Sequence, residues 1–317
     1  MLFRRSLLVA PTLCAMERRS LGPLEISAVG VGTAPLGSSP DWVIWWGKQD
    51  MRAGVRAVQR ALDLGVNWID TAPFYGWGRA EELVGRAIAG RRDDALVFTK
   101  CGTFPDREDL RPDSIRSDLE GSLERLRLDY VDLLQFHDPD PDTAIEESWG
   151  ALHELIREGK VRFGGLSNHP VELVERALAV GPVTALQHQL SLLARDTERD
   201  VLPFAERHGI AVLAWSPLAS GFLTDGFDPE RLEADDFRRR HPFAQLDLGS
   251  LRSVLADVAA RNDATSAQVA LAWVLSRPAV SGAIVGVRTR GEAEELPHAA
   301  ELRLSDDDAR ALVAAAP

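Results

Sequence analysis

Eight short apolar runs, at 29–32, 67–70, 95–99, 131–136, 161–166, 183–187, 210–215 and 283–285, alternate with segments in which apolar residues recur at helical spacing. Met51, Val55, Val58 and Leu62 share one helical face, as do Ile115, Leu119, Leu123 and Leu126, and Ile145, Trp149, Leu152 and Ile156. Eight strand–helix units with no break in composition predict an α/β chain folded as a (β/α)8 TIM barrel. The rival is an open doubly wound sheet, whose first turn needs a glycine-rich phosphate loop. The nearest match, Gly30-Val-Gly32-Thr-Ala-Pro35, ends on proline and leads into a loop. Ahead of the barrel, Arg18–Leu21 and Leu24–Ile26 read as a β-hairpin. Residues 18–317 are therefore expected to form one barrel. Residues 1–17 read as a disordered extension or a mis-called start, because their signal-like apolar stretch is broken by Pro11 and Thr12.

Composition narrows the function. The 317 residues carry a formal net charge of −12 with no basic stripe, which argues against nucleic acid as a partner. No apolar run reaches the ~18–20 residues that span a bilayer. Cys14 and Cys101 make no disulfide framework, which suits a reducing, cytoplasmic setting. Cys101 reads as a small buried strand-end residue rather than a reactive thiol.

Three strand-like runs stop at a titratable residue: Asp70 after 67–69, Lys100 after 95–99 and His137 after 131–136, with Tyr75 five residues beyond Asp70. In a parallel barrel such residues converge on the C-terminal mouth. An acid, a base and a hydroxyl meeting there point to proton chemistry on a small molecule. Two long connections, 33–50 and 216–248, are expected at the same mouth. Trp42, Trp45 and Trp46 in the first, with Phe74 and Trp77, are candidate pocket walls. The run His137-Asp-Pro-Asp-Pro-Asp142 invites a metal reading. Its prolines favour a solvated loop instead, with Asp142 capping a helix from Thr143, and no metal is expected. The remaining histidines, at 153, 169, 188, 208, 241 and 298, show no ligand spacing and default to surface or core.

Taken in order, Asp70-Thr-Ala-Pro-Phe-Tyr75-Gly, Gly78-Arg-Ala-Glu-Glu, Thr99-Lys100, Leu134-Gln-Phe-His137, Gly164-Gly-Leu-Ser167-Asn168 and Trp215-Ser-Pro-Leu218 resemble the aldo-keto reductases, bacterial members above all. The resemblance runs from about Arg18 to the C-terminus. It implies a catalytic set of Asp70, Tyr75, Lys100 and His137, and an NAD(P)H-dependent reaction between an aldehyde or ketone and an alcohol, or oxidation of a sugar. A cofactor-sensing regulatory subunit with little turnover is the alternative outside enzymology.

The chemistry supports the same roles. A carbonyl that accepts hydride becomes an alkoxide and needs a proton donor in a positive field. Bringing a phenol from about 10 towards neutrality takes ~3–4 kcal/mol. One ammonium at ~4 Å contributes around 4 kcal/mol at an effective dielectric near 20. Lys100 is thus expected to lower Tyr75 by itself, with Asp70 holding Lys100 charged and neutral His137 orienting the substrate oxygen.

For the cofactor, the resemblance implies Ser167, Asn168 and Gln187 at the nicotinamide carboxamide and Trp215 against its ring. It implies Gly32, Thr33, Ser216, Leu218, Ser220 and Gly286 along the dinucleotide, with Glu295 at the adenine. Arg288 and Arg290 are expected at a 2′-phosphate. Glu292 replaces the Gln or Arg of relatives, Leu296 their Asn, and Leu190 a frequent Tyr. Two arginines against one glutamate favour NADP(H), with NAD(H) as the alternative. The substrate is a small carbonyl compound or sugar, and the sequence leaves the oligomeric state open.

Overall fold

The computed structural model describes residues 16–317. Cys14 and all but the last two residues of the proposed extension lie outside the described residues. Of those two, Met16 is buried in the core, and Glu17 pairs with Arg19 and Arg303.

A hairpin of β1 (Arg18–Leu21) and β2 (Leu24–Ser27) precedes eight parallel strands. These are β3 (Val29–Gly32), β4 (Trp68–Asp70), β5 (Leu96–Cys101), β6 (Val131–Phe136), β7 (Val161–Ser167), β8 (Ala185–Gln189), β9 (Ala211–Trp215) and β10 (Val280–Gly286). They close into a barrel in chain order, β10 pairing with both β9 and β3. Helices α1 (Met51–Asp63), α2 (Arg79–Ala87), α3 (Pro112–Leu126), α4 (Ile145–Arg157), α5 (Val171–Val180) and α6 (Val201–His208) follow β3 to β8 in turn. Two helices, α7 (Gly249–Arg261) and α8 (Ser266–Leu275), lie between β9 and β10. The short helices α9 (Arg290–Glu294), α10 (Leu296–Glu301) and α11 (Asp306–Ala315) end the chain. No described helix is long and apolar enough to cross a membrane.

Side-chain alternation explains how one end of the barrel becomes apolar and the other chemical. Trp68, Phe98, Leu133, Ala185, Leu213 and Ile284 meet inside the barrel in one buried cluster. Two residues further along their strands, the same inward face presents Asp70, Lys100, Gln135, Gln187, Trp215 and Gly286. Four of these strands, β4, β5, β6 and β8, are thus apolar below and polar above. Leu21, Leu24 and Ile26 of the hairpin join the apolar cluster and close the lower end.

Trp68 is fully buried and fills the interior, with its indole N–H donating to Ser27 O at 2.8 Å. A Cβ at Gly30 would lie 2.2 Å from that indole ring, and one at Gly282 2.7 Å. Glycine at these two strand positions is therefore a packing requirement. Gly282 also explains why β10 extends beyond the apolar run at 283–285: the residue that breaks the hydrophobic pattern is the one Trp68 demands. The expected helix faces hold in α1, α3 and α4. In α4, Ile145, Trp149 and Leu152 are buried and Ile156 partly so. Helix α8 is buried on nearly every side and has no polar face for a periodicity to reveal.

Candidate active site

At the centre of the mouth, Lys100 and Asp70 form a buried ion pair, Nζ to Oδ1 at 2.6 Å, with the lysine side chain fully enclosed. Lys100 Nζ also donates to Thr71 O at 3.1 Å. The second carboxylate oxygen accepts from Gln187 Nε2 at 2.8 Å and from Gln135 Nε2 at 3.4 Å. Gln135 ends no apolar run and so carries no strand-end signal, but alternation from His137 sets it on the inward face of β6. With these partners Asp70 is saturated and Lys100 stays cationic. Burial pulls the ammonium down, but the charges and hydrogen bonds of Asp70 and Tyr75 hold it above the usual lysine value.

Tyr75 comes to this pair on a tight turn. Gly76, Trp77 and Gly78 all have positive φ, and Ala80 N–H donates to Tyr75 O at 3.2 Å. Gly76, at φ +61°, lies so close to the 33–38 segment that a Cβ would fall 1.9 Å from Gly37 O. Gly76→Ala is expected to cost more than about 2 kcal/mol, since both the left-handed backbone and the contact forbid a side chain. It should lower kcat as well, through a displaced Tyr75. A denaturation midpoint within error of wild type would contradict this placement.

Lys100 Nζ lies 5.0 Å from the centroid of the Tyr75 ring, and the His137 ring meets it edge-on at 5.7 Å. One sequence expectation is reversed here. Burial pushes the Tyr75 hydroxyl above its ordinary value, with Lys100 opposing and Asp70 reinforcing the rise. The ammonium that should have acidified the phenol is itself half-neutralised by a carboxylate 2.6 Å away. Tyr75 is therefore a protonated phenol at neutral pH. Burial, and then Lys100, hold His137 well below the usual imidazole value, so it is neutral. Cys101 is buried and its thiol is pushed up by burial, in keeping with a quiet strand-end residue.

Asp70, Tyr75 and His137 line a cavity of about 1180 Å³, larger than the ~300–1,000 Å³ usual for small-molecule sites. Gly32, Thr33, Ser167, Asn168, Gln187, Trp215, Ser216, Leu218, Ser220, Gly286, Arg288 and Glu295 all line it, with Trp42, Trp46 and Phe74. Trp45, Trp77 and Arg290 do not. Trp45 Nε1 donates to Glu233 at 3.2 Å, Trp77 Nε1 to Asp41 O at 3.2 Å, and Arg290 pairs with Glu294 at 3.1 Å. Leu190 is core and Leu296 lines the cavity.

Asn168 is fully committed: its Nδ2 donates to His137 O and Asp138 Oδ1 at 3.1 and 2.9 Å, and its Oδ1 accepts from Trp215 Nε1 at 3.0 Å. Ser167 Oγ, by contrast, is buried without a hydrogen-bond partner. An orphaned hydroxyl at the floor of a long cavity fits a polar amide group, so the residues present suit a nicotinamide.

The 137–142 run is also clarified. Asp138 lines the cavity, whereas Asp140 accepts from Leu110 N and Asp142 N, both at 2.8 Å. Helix α4 starts at Ile145 with no side-chain cap, so Asp142 does not cap it. His241, read from sequence as surface or core, lines the cavity beside Phe237 and Phe243. With Arg238 and Asp225 it belongs to the 216–248 connection, which has no periodicity to announce individual residues.

Residues 28–317 match the model of the Aldo/keto reductase family. The chain is 33% identical to aldo-keto reductase YhdN of Bacillus subtilis over 90% of its own length and 88% of that protein. A solved glycerol dehydrogenase from Gluconobacter oxydans superposes with a TM-score of 0.84 at 34% identity, covering 94% of each chain. An aldo/keto reductase from Klebsiella pneumoniae, solved with NADP and acetate, gives 0.73 at 29% identity over 92% of each.

Proposed function

The chain belongs to the aldo/keto reductase family, nicotinamide-dependent oxidoreductases of carbonyl compounds, and on that footing we propose that it interconverts a small aldehyde or ketone and its alcohol with Tyr75 as general acid and base. The observation that carries the proposal is the Tyr75 phenol, set against a buried Lys100–Asp70 pair and edge-on to His137. When bound, a nicotinamide supplies or takes up the hydride, which no side chain can do. Ser167, Gln187 and Trp215 would hold its ring, with Asn168 anchoring the Trp215 indole, and Gly32, Thr33, Ser216, Leu218, Ser220, Gly286 and Glu295 the rest of the dinucleotide.

The chain's own residues account for the proton. His137 donates a hydrogen bond to the substrate oxygen and fixes its position. The Tyr75 hydroxyl gives its proton to that oxygen as negative charge develops. The tyrosinate left behind is stabilised by Lys100, which Asp70 keeps charged and pointed. In the reverse direction the same phenolate removes the alcohol proton. Trp42, Trp46 and Phe74 provide an apolar surround that strengthens these interactions. The glycerol dehydrogenase relative supports including polyols in the substrate class. A cytoplasmic setting belongs to the same reading, supported by the free buried thiol of Cys101.

The pH profile of turnover tests the roles. Carbonyl reduction should be flat from about pH 6 to about pH 9, because Tyr75 stays protonated and His137 neutral throughout. Alcohol oxidation should climb steadily with pH towards and past 10, as the raised Tyr75 hydroxyl begins to ionise. An acidic limb near 6.5 in the reduction profile would remove the neutral role of His137. An oxidation rate already on its plateau at neutral pH would show that Tyr75 is acidified after all. Negligible turnover with every carbonyl and polyol tried would favour a cofactor-sensing subunit.

A further inference from the structure

Arg288 stands at the end of β10, where the sequence reading expects a 2′-phosphate ligand. Four of its five N–H donors are already engaged by another part of the chain. Nη1 donates to Trp46 O at 2.8 Å, Nη2 to Lys48 O at 2.6 Å and Gly47 O at 3.4 Å, and Nε to Gln49 Oε1 at 3.0 Å. Gln49 Nε2 returns a bond to Arg288 O at 3.4 Å. The four consecutive acceptors 46–49 belong to the long connection over the mouth. That connection is also held by Ser38, which bonds Trp46 N and Gly47 O at 2.9 and 3.0 Å.

Other positive features near this end of the cavity are likewise engaged. Among the described residues, the cations lining the cavity are Arg288 and Arg238. Arg238 forms a two-bond pair with Asp236 at 2.9 and 2.6 Å. The N-terminus of α8 is filled by protein acceptors: Asp225 accepts from Ser266 N at 3.0 Å and Thr265 Oγ1 from Gln268 N at 3.2 Å. Asp225, Glu292 and Glu295 bring carboxylates to the same wall. The Glu292 carboxylate accepts from Arg288 N, which holds it at the end of β10. A phosphate here would meet acids, and a two-bond grip on Arg288 would have to displace part of 46–49. A ribose hydroxyl would find acceptors.

We infer that Arg288 fastens the 33–50 connection across the cavity instead of binding a phosphate, and that the chain selects the dinucleotide with a free 2′-hydroxyl, NAD(H). This reverses the NADP(H) preference expected from the two arginines, and it rests on the dinucleotide reading given above.

Quenching of intrinsic tryptophan fluorescence, titrated separately with NADH and NADPH, tests it in wild type, Arg288→Gln and Gln49→Ala. NADH should bind at least about tenfold more tightly than NADPH in wild type, the scale of one unfavourable charge contact. Arg288→Gln should weaken both dinucleotides by a similar factor and raise chymotryptic cleavage after Trp45 and Trp46 in the free protein. Gln49→Ala, which leaves the arginine in place, should also raise cleavage and narrow the gap by tightening NADPH. Equal or tighter NADPH binding in wild type would overturn the inference. So would a loss in Arg288→Gln confined to NADPH with cleavage unchanged. Binding of neither dinucleotide would overturn the oxidoreductase reading itself, and this inference with it.

Discussion

Tyr75→Phe is expected to slow carbonyl reduction by about 10²–10⁴-fold, the usual contribution of a positioned general acid, with dinucleotide affinity changed by less than about twofold. The substitution removes one hydroxyl and keeps the ring that packs against His137 at 5.7 Å and Trp42 at 6.1 Å. The turn that carries it is fixed by Gly76 and Gly37 through backbone contacts, so the variant should fold as wild type does. Lys100 also retains Asp70 and Thr71 O, and its charge survives. Only the proton is lost. Stopped-flow single turnover separates chemistry from product release, and fluorescence quenching gives the affinity. Unchanged single-turnover rates would transfer the acid role to His137 or to water and end the mechanism proposed for Tyr75.

The second large effect concerns the pair beneath it. Asp70→Ala should cost about 3–5 kcal/mol of stability at neutral pH, the range found when one partner of a buried ion pair is removed. Lys100 is then an enclosed ammonium left with two neutral partners, Thr71 O and Tyr75, and the donors of Gln187 and Gln135 lose the Asp70 carboxylate. The pH dependence identifies the cause. In wild type Lys100 is held above its unfolded value, so its favourable contribution is complete below ~10.4 and fades as pH rises through the folded value. Without Asp70, burial should depress Lys100 below ~10.4. The unfolded chain then binds more protons than the native one, and stability should rise with pH over the interval between the two values. Denaturant titrations near pH 7 and pH 9.5 measure both effects. A loss under about 1 kcal/mol with no pH trend would mean that the ion pair contributes little to the fold. Activity should fall in either case, because Lys100 no longer stabilises a tyrosinate.

How much of this was legible in the sequence follows from how local each signal is. The barrel strands were readable because a buried parallel strand is a continuous apolar run, and Asp70, Lys100 and His137 because each ends such a run. The direction of the Tyr75 shift was not readable. It depends on how completely Asp70 offsets Lys100 across 2.6 Å and on how deeply the phenol is enclosed, and both are properties of packing. The tryptophans at the mouth divided for a similar reason. Composition marks 33–50 as rich in aromatic surface, but only the folded loop turns Trp42 and Trp46 inward while Trp45 reaches Glu233. Arg288 shows the same limit from the other side. Its charge and position suggest an anion, whereas four acceptors 239–242 residues earlier in the chain already claim it.

The Trp68 plug, with the hairpin residues Leu21 and Ile26 beneath it, makes the barrel a blind well. Everything that takes part in the reaction must arrive and depart through one opening, partly spanned by the loop that Arg288 fastens. Two molecules stacked in such a shaft would form a queue, the deeper one admitted first and released last. Exchange of any ligand is therefore confined to the mouth by the end of the barrel farthest from it.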